Sequence, residues 1–156
     1  MHLLLLSFVA CSLSAWAADN PFLGTWKIDL TRSKGSPASG LPPDSLTVTI
    51  QPEGEDGVKI SEDYIGKTTN KPFHVARTCK FDGKEYPVTG WTRPAGTEAI
   101  KRVDTHTWEV TRKSEAKVVD QHRWVVSTDG NTLLWTGTGT NRASGKYENS
   151  VVFTRR

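Results

Sequence analysis

The residues best placed to do chemistry are charges on strands that otherwise alternate between apolar and polar. Glu62 falls between Ile60 and Tyr64, Arg77 lies between Val75 and Cys79, and Arg112 follows Trp108 and Val110 at the same two-residue step. Alternate residues of a strand share one face, so each charge falls on an apolar side. A buried charge without a partner is costly, so an inward-pointing one must meet an opposite charge, water or a ligand group. An arginine in such a place suits a carboxylate, which its guanidinium grips through two parallel hydrogen bonds. Arg77, Arg112 and Glu62 as internal polar anchors, with Tyr64 and Trp108 as apolar walls, make up the expected ligand-binding set. The competing reading is a β-bulge after Val75 or Val110, which reverses the register and turns the arginine to solvent.

Other chemistries find less support. His74 opens a strand whose opposite face holds Phe73, Val75, Cys79 and Phe81, so it is expected in solvent; His106 sits in the turn Asp104-Thr105-His106-Thr107. His122 shares a face with Val118, Asp120, Trp124 and Val126, and its direction stays open. No pair of histidines has the spacing of a zinc site, so no metal is expected. No Gly-x-Ser-x-Gly elbow occurs, Cys79 reads as a small buried hydrophobe, and the segment GTGTNRASG lacks the helix and lysine of a phosphate cradle. Neither a catalytic constellation nor a cofactor motif is recognisable, and a non-enzymatic protein is expected. The net charge of +3 comes from lysines and arginines interspersed with acids, which argues against a nucleic-acid partner. Trp91, in the loop TGWTRPAG, is a ring that could stack on a ligand; Trp124 and Trp135 read as core.

The elements that must position these residues are short strands. With 156 residues, 36% hydrophobic, and many Thr, Val, Gly and Trp, the chain has one-domain length and a composition that favours strands over helices. About ten alternating segments between Leu23 and Thr154 are bounded by turn signals at roughly the spacing of sandwiches and barrels. One of them runs from Lys84 to Thr89. Asp56-Gly57, Asp82-Gly83 and Asp129-Gly130 are expected to supply the positive φ of tight hairpins. The only long irregular connection is TRSKGSPASGLPP, residues 31 to 43. A sandwich needs long crossovers, whereas short connections favour a meander that closes on itself. The predicted fold is all-β: a single antiparallel up-and-down barrel of about ten strands.

The N-terminal MHLLLLSFVACSLSAWA has an apolar run followed by an Ala-x-Ala site, so residues 1–17 read as a signal peptide and 18–156 as the barrel domain. The run is too short for a stable membrane span. Acylation of Cys11 is the alternative. With Ala17 removed, Cys79 is left without an internal disulfide partner, which suits a bacterial periplasmic or extracellular protein, expected as a monomer.

On the first strand of NPFLGTWKIDLTRSK, Trp26 and Ile28 share a face expected to point inward, with the indole plugging one end of the barrel. Gly24-Thr25-Trp26-Lys27 at the head of a meander resembles the Gly-x-Trp opening of lipocalins and the start of fatty-acid-binding proteins, the calycin barrels. Together with SLTVTIQPEGEDGVKI, FDGKEYPVTG and AIKRVDTHTWEVT, it resembles bacterial exported lipocalin-like proteins. The resemblance implies a structural role for Gly24 and Trp26, a basic residue, Arg155 or Arg156, packed over Trp26, and a small apolar or amphipathic molecule bound inside the barrel. The alternative is an envelope interaction or structural module with a filled core.

Overall fold

In the computed structural model the alternating segments become eleven strands, described over residues 20–35, 43–66, 71–91, 96–141 and 145–156. The expected signal segment, Cys11 and most of the 31–43 connection lie outside the described residues. The strands are β1 (Gly24–Ile28), β2 (Lys34–Gly35), β3 (Ser45–Glu53), β4 (Gly57–Ile65), β5 (Pro72–Lys80), β6 (Tyr86–Pro87), β7 (Gly96–Asp104), β8 (Thr107–Ser114), β9 (Lys117–Val126), β10 (Thr132–Asn141) and β11 (Gly145–Arg155). All belong to one antiparallel sheet with the order β5-β4-β3-β1-β11-β10-β9-β8-β7-β6, while β2 pairs with β11 beyond the end of β1. This is the predicted barrel of ten strands, nearly closed. The predicted strand 84–89 shortens to the two residues of β6, because Pro87 cannot donate to a ladder.

Closure happens in two different ways. Around most of the circumference the ladder is continuous: β10 and β11 pair from Thr132↔Thr154 to Asn141↔Gly145, and β4 and β5 from Gly57↔Lys80 to Ile65↔Pro72. Between β5 and the β6–β7 ribbon the ladder thins to a seam. There Ala76 and Thr89 exchange backbone hydrogen bonds of 3.1 and 2.9 Å, and the Gly83 amide donates to the Ile100 carbonyl at 3.3 Å.

Register decides which side chains enter. The β4–β5 ladder is unbroken, so no bulge follows Val75 and Arg77 points inward. On β8 an irregularity does occur, between Arg112 and Lys113, but it comes one residue too late to evict Arg112. Of the three expected turn glycines, Gly83 and Gly130 do adopt positive φ, at 72° and 71°. Gly57 does not. It begins β4, and the positive φ of that turn belongs to Gly54, at 62°.

At one rim the interior is packed solid. Phe22 stacks on Trp108 at 3.8 Å between centroids, and the row continues through Trp124, Trp135 and Phe153, with Trp124 and Trp135 4.2 Å apart. Their cross-strand registry, Trp108↔Trp124↔Trp135, places three indoles side by side on adjacent strands. Trp26 is fully buried beside them and donates its indole N–H to the Phe22 carbonyl at 2.8 Å. Arg155, rather than Arg156, lies over the Trp26 ring at 4.2 Å. Its guanidinium donates to the carbonyls of Pro21, Leu23 and Gly130, each at 2.6 Å. Gly24 leaves room for this: a Cβ there would come within 2.6 Å of Arg155 Nη1.

Candidate ligand-binding site

Above the aromatic layer the interior turns ionic. Glu62 on β4, Arg77 on β5, Glu98 on β7 and Arg112 on β8 all point inward at mid-height and close a four-membered ring. Arg77 Nε donates to Glu98 Oε1 at 2.7 Å, Arg112 Nε to Glu98 Oε2 at 2.6 Å, and Arg112 Nη2 to Glu62 Oε1 at 2.7 Å. The fourth side is an ion contact, Arg77 Nη1 to Glu62 Oε1 at 2.5 Å, with the N–H out of line for a hydrogen bond. Two of the four pairs, Arg77–Glu98 and Arg112–Glu62, span the seam where the backbone ladder thins. Side chains thus complete the closure that the main chain leaves unfinished.

The ring is accessible unevenly. The side chains of Arg77 and Glu98 are 0% exposed, against 8% for Glu62 and 16% for Arg112. Burial alone would raise the Glu62 carboxyl, but the Arg112 and Arg77 guanidiniums outweigh it and hold it at about 2. Burial opposes the charge on Arg112 as well, and Glu62, Glu98 and Asp120 push its pKa up instead. Cys79, whose Sγ lies 3.8 Å from the Glu98 carbonyl, is pushed up to about 12 by burial and then by the Glu98 charge. It is a thiol, not a thiolate nucleophile.

On the neighbouring strands a second polar group faces the ring. Asp120 on β9 accepts from the Tyr147 hydroxyl on β11, and His122 Nε2 lies 3.8 Å from Asp120. His122 and Asn149 flank Gly137, each its Cα partner across a ladder. The glycine makes room for the imidazole, since a Cβ there would meet His122 Nδ1 at 2.8 Å. Both ring nitrogens of His122, Asn149 Oδ1 and Arg77 Nη2 are buried without a hydrogen-bond partner. Burial, followed by the Arg112 and Arg77 charges, drives His122 down to about 3, so the ring is neutral at pH 7.

The expected site residues separate on this geometry. Arg77, Arg112 and Glu62 come together, and Tyr64 stands over them toward the other rim, stacked on Phe73 at 5.3 Å. Trp108 does not join them. It is 0% exposed, with no surface that a molecule the size of water could touch, and so it packs the closed end instead of walling a cavity. Trp91 lies against Gly96 with its ring half-buried. His74 is exposed and pairs with Asp63 at 2.7 Å, His106 occupies its turn, and His122 resolves inward. Sequence reasoning missed Glu98, Asp120 and Asn149 as interior groups. For Glu98 the signal was present: it shares its strand face with Ile100, as Glu62 does with Ile60. Among the described residues no three His, Cys, Asp or Glu side chains gather to hold a metal ion, and no helix is long and apolar enough to cross a membrane.

This architecture defines a class: the chain has the fold of the fatty-acid-binding-protein-like calycin barrels. It is similar in structure to the zebrafish ileal bile acid-binding protein, solved in complex with cholic acid, with a TM-score of 0.56 and 15% identity over 87% of this chain and 99% of that one. A second similar structure, EF1p2_mFAP2b bound to DFHBI, has a TM-score of 0.49 and 9% identity over 92% of this chain and 100% of that one. No protein-family model matches the sequence, and no curated protein does.

Proposed function

We propose that this protein is an exported, non-catalytic bacterial barrel that binds a small, mainly apolar molecule in the half of its interior between the ionic ring and the rim opposite Trp26. One observation carries the reading. The ring's exposed members are Arg112 and Glu62, while the aromatic layer on its other side is fully buried, and this unevenness supports a guest on the side away from that layer. Tyr64 and Phe73, half-buried and stacked on one another, supply apolar surface on that side, and Arg112 and Glu62 supply a polar floor. The fold shared with the bile acid-binding protein supports the same use of the interior. The N-terminal segment and the lone Cys79 of the remaining chain support export.

The test is native mass spectrometry of the protein purified from a periplasmic or culture-supernatant fraction, followed by organic extraction. One small molecule per chain is expected, lost on extraction, on a polypeptide that begins at Ala18. The packed aromatic end favours a second reading, an envelope module with a filled core. Absence of any bound molecule, together with no binding of uncharged fluorescent probes, would establish that reading in place of the first.

A further inference from the structure

The wall of the barrel is not equally firm all the way round, and its weak line runs beside the proposed guest compartment. On one edge β5 is held by β4 without a break, from Gly57↔Lys80 to Ile65↔Pro72. On its other edge it meets a strap, residues 84–89, that includes β6. Among the described residues one registered pair joins the strap to β5, Ala76↔Thr89, whose two backbone hydrogen bonds are supplemented by a third from Thr89 Oγ1 to the Ala76 carbonyl at 3.0 Å. Toward β7 and β8 the strap is better secured. Tyr86 and Pro87 pair with Glu98 and Thr97, the Val88 amide donates to the Gly96 carbonyl at 2.9 Å, and Glu85 accepts from Thr97 Oγ1 at 3.0 Å and from Lys113 Nζ at 2.6 Å. A parting of the wall therefore falls between the strap and β5.

The strap is bounded by two glycines with positive φ, Gly83 at 72° and Gly90 at 76°, a backbone state that glycine enters and leaves without the steric cost other residues meet. Gly90 also lets the seam shut, since a Cβ there would collide with the His74 carbonyl. Height decides what a parting uncovers. The upper end of the strap lies against His74 and Ala76, on the guest side of the ring and beside Phe73. The ion pairs Arg77–Glu98 and Arg112–Glu62 cross the same seam below it. The ring thus clasps the lower seam, while the upper seam hangs on the Ala76–Thr89 pair.

We infer that a guest enters and leaves this barrel through its wall, between β5 and the strap, with the Ala76–Thr89 pair as the latch. This rests on the interior-site reading given above.

The experiment clips the latch. Ala76 and Thr89 exchange both backbone hydrogen bonds, a pairing that sets Cα atoms about 5.5 Å apart, within disulfide reach. Ala76 lies between the inward Val75 and Arg77, so the bridge forms on the outer face, away from Cys79 and the interior. In the double variant Ala76→Cys/Thr89→Cys, stopped-flow binding of N-phenyl-1-naphthylamine, an uncharged fluorescent probe, is followed before and after oxidation. Oxidation is expected to slow association and dissociation alike, each roughly tenfold, with Kd unchanged, and dithiothreitol should restore both rates. Thr49→Cys/Ser61→Cys, the same clip on the continuous β3–β4 ladder, should leave both rates where they are. Rates unmoved by oxidation of the 76–89 clip, or slowed as much by the control, overturn the entrance and leave the interior site standing. No binding of the probe by the parent protein removes the interior site and the entrance with it. Hydrogen exchange on the parent protein is the second measurement, and it decides where the clip does not close. The Ala76 and Thr89 amides are expected to exchange roughly 100-fold faster than those of Leu134 and Trp135, which β9 and β11 flank on both sides. Equal protection overturns the entrance as well.

Discussion

The two halves of the interior reach a similar degree of burial by opposite means. At the Trp26 end, Phe22, Trp108, Trp124, Trp135 and Phe153 fill space with rings whose removal from water is favourable in itself, at roughly 25 cal/mol per Å². At mid-height Glu62, Arg77, Glu98 and Arg112 are just as inward, but their burial opposes folding unless all four are present together. The aromatic layer needs only volume. The ionic layer needs partners, and those partners sit on both sides of a seam that the backbone does not fully zip. An aromatic layer therefore tolerates loss in proportion to the area removed, whereas the ring fails as a unit.

Breaking the ring gives the largest expected effect. Glu98→Ala leaves Arg77 and Arg112 with one carboxylate between them and should cost roughly 3–5 kcal/mol in urea unfolding. Replacing Glu62, Arg77, Glu98 and Arg112 together by leucine and methionine should restore the parent stability or exceed it, within about 1–4 kcal/mol. A quadruple variant as unstable as Glu98→Ala would show that the seam needs the ionic geometry and not merely filled space.

Acid separates the components of the mid-layer more finely. His122 is neutral when folded, with a pKa near 3 against 6.5 in the unfolded chain, so the unfolded state takes up the proton first as pH falls. Stability should therefore drop as pH falls from 6.5 toward 3, by on the order of 1 kcal/mol per pH unit, and His122→Leu should be flat between pH 6.5 and 4.5, above the range in which Glu62 titrates. Glu62 acts lower. Its folded pKa near 2 lies below the ordinary 4.5, so its contribution is complete above pH 4.5 and is lost as pH falls toward 2, in the parent and in His122→Leu alike. Unfolding free energies measured across pH 7 to 2.5 would resolve the two steps.

The smallest effect is expected outside the barrel. Asp63 and His74 form a pair as short as those of the ring, 2.7 Å, but both side chains are more than half exposed. Asp63→Asn should change stability by less than about 0.5 kcal/mol. A larger change would mean that distance, and not burial, governs the ion pairs of this protein.

Much of this was legible in the residues. Strict alternation in VKISEDY, Val58 to Tyr64, marks Glu62 as inward as soon as Ile60 is taken to be core, and Trp26 follows from its step to Ile28. What the alternation cannot carry is the pairing of one strand with another. Glu98 sits near the start of its strand, ahead of Ile100, and nothing local reveals that β5 lies across from it. Trp108 shows the same limit from the other side. Its strand face is correct, but its height in the barrel, set by the registry with Trp124 and by Phe22 folding over it, removes it from any cavity.

The sequence by itself determined the class of fold and which residues of most strands share a face, because side-chain direction along a strand has a period of two and the turns between strands are short and local. Only the tertiary structure decided that the four interior charges neutralise one another across the seam, and that His122 and Asn149 meet on either side of Gly137. Those relations depend on strand order, registry and closure, which join residues as far apart in the chain as Trp26 and Arg155, and the energy of a buried charge is set by the neighbours it meets in space.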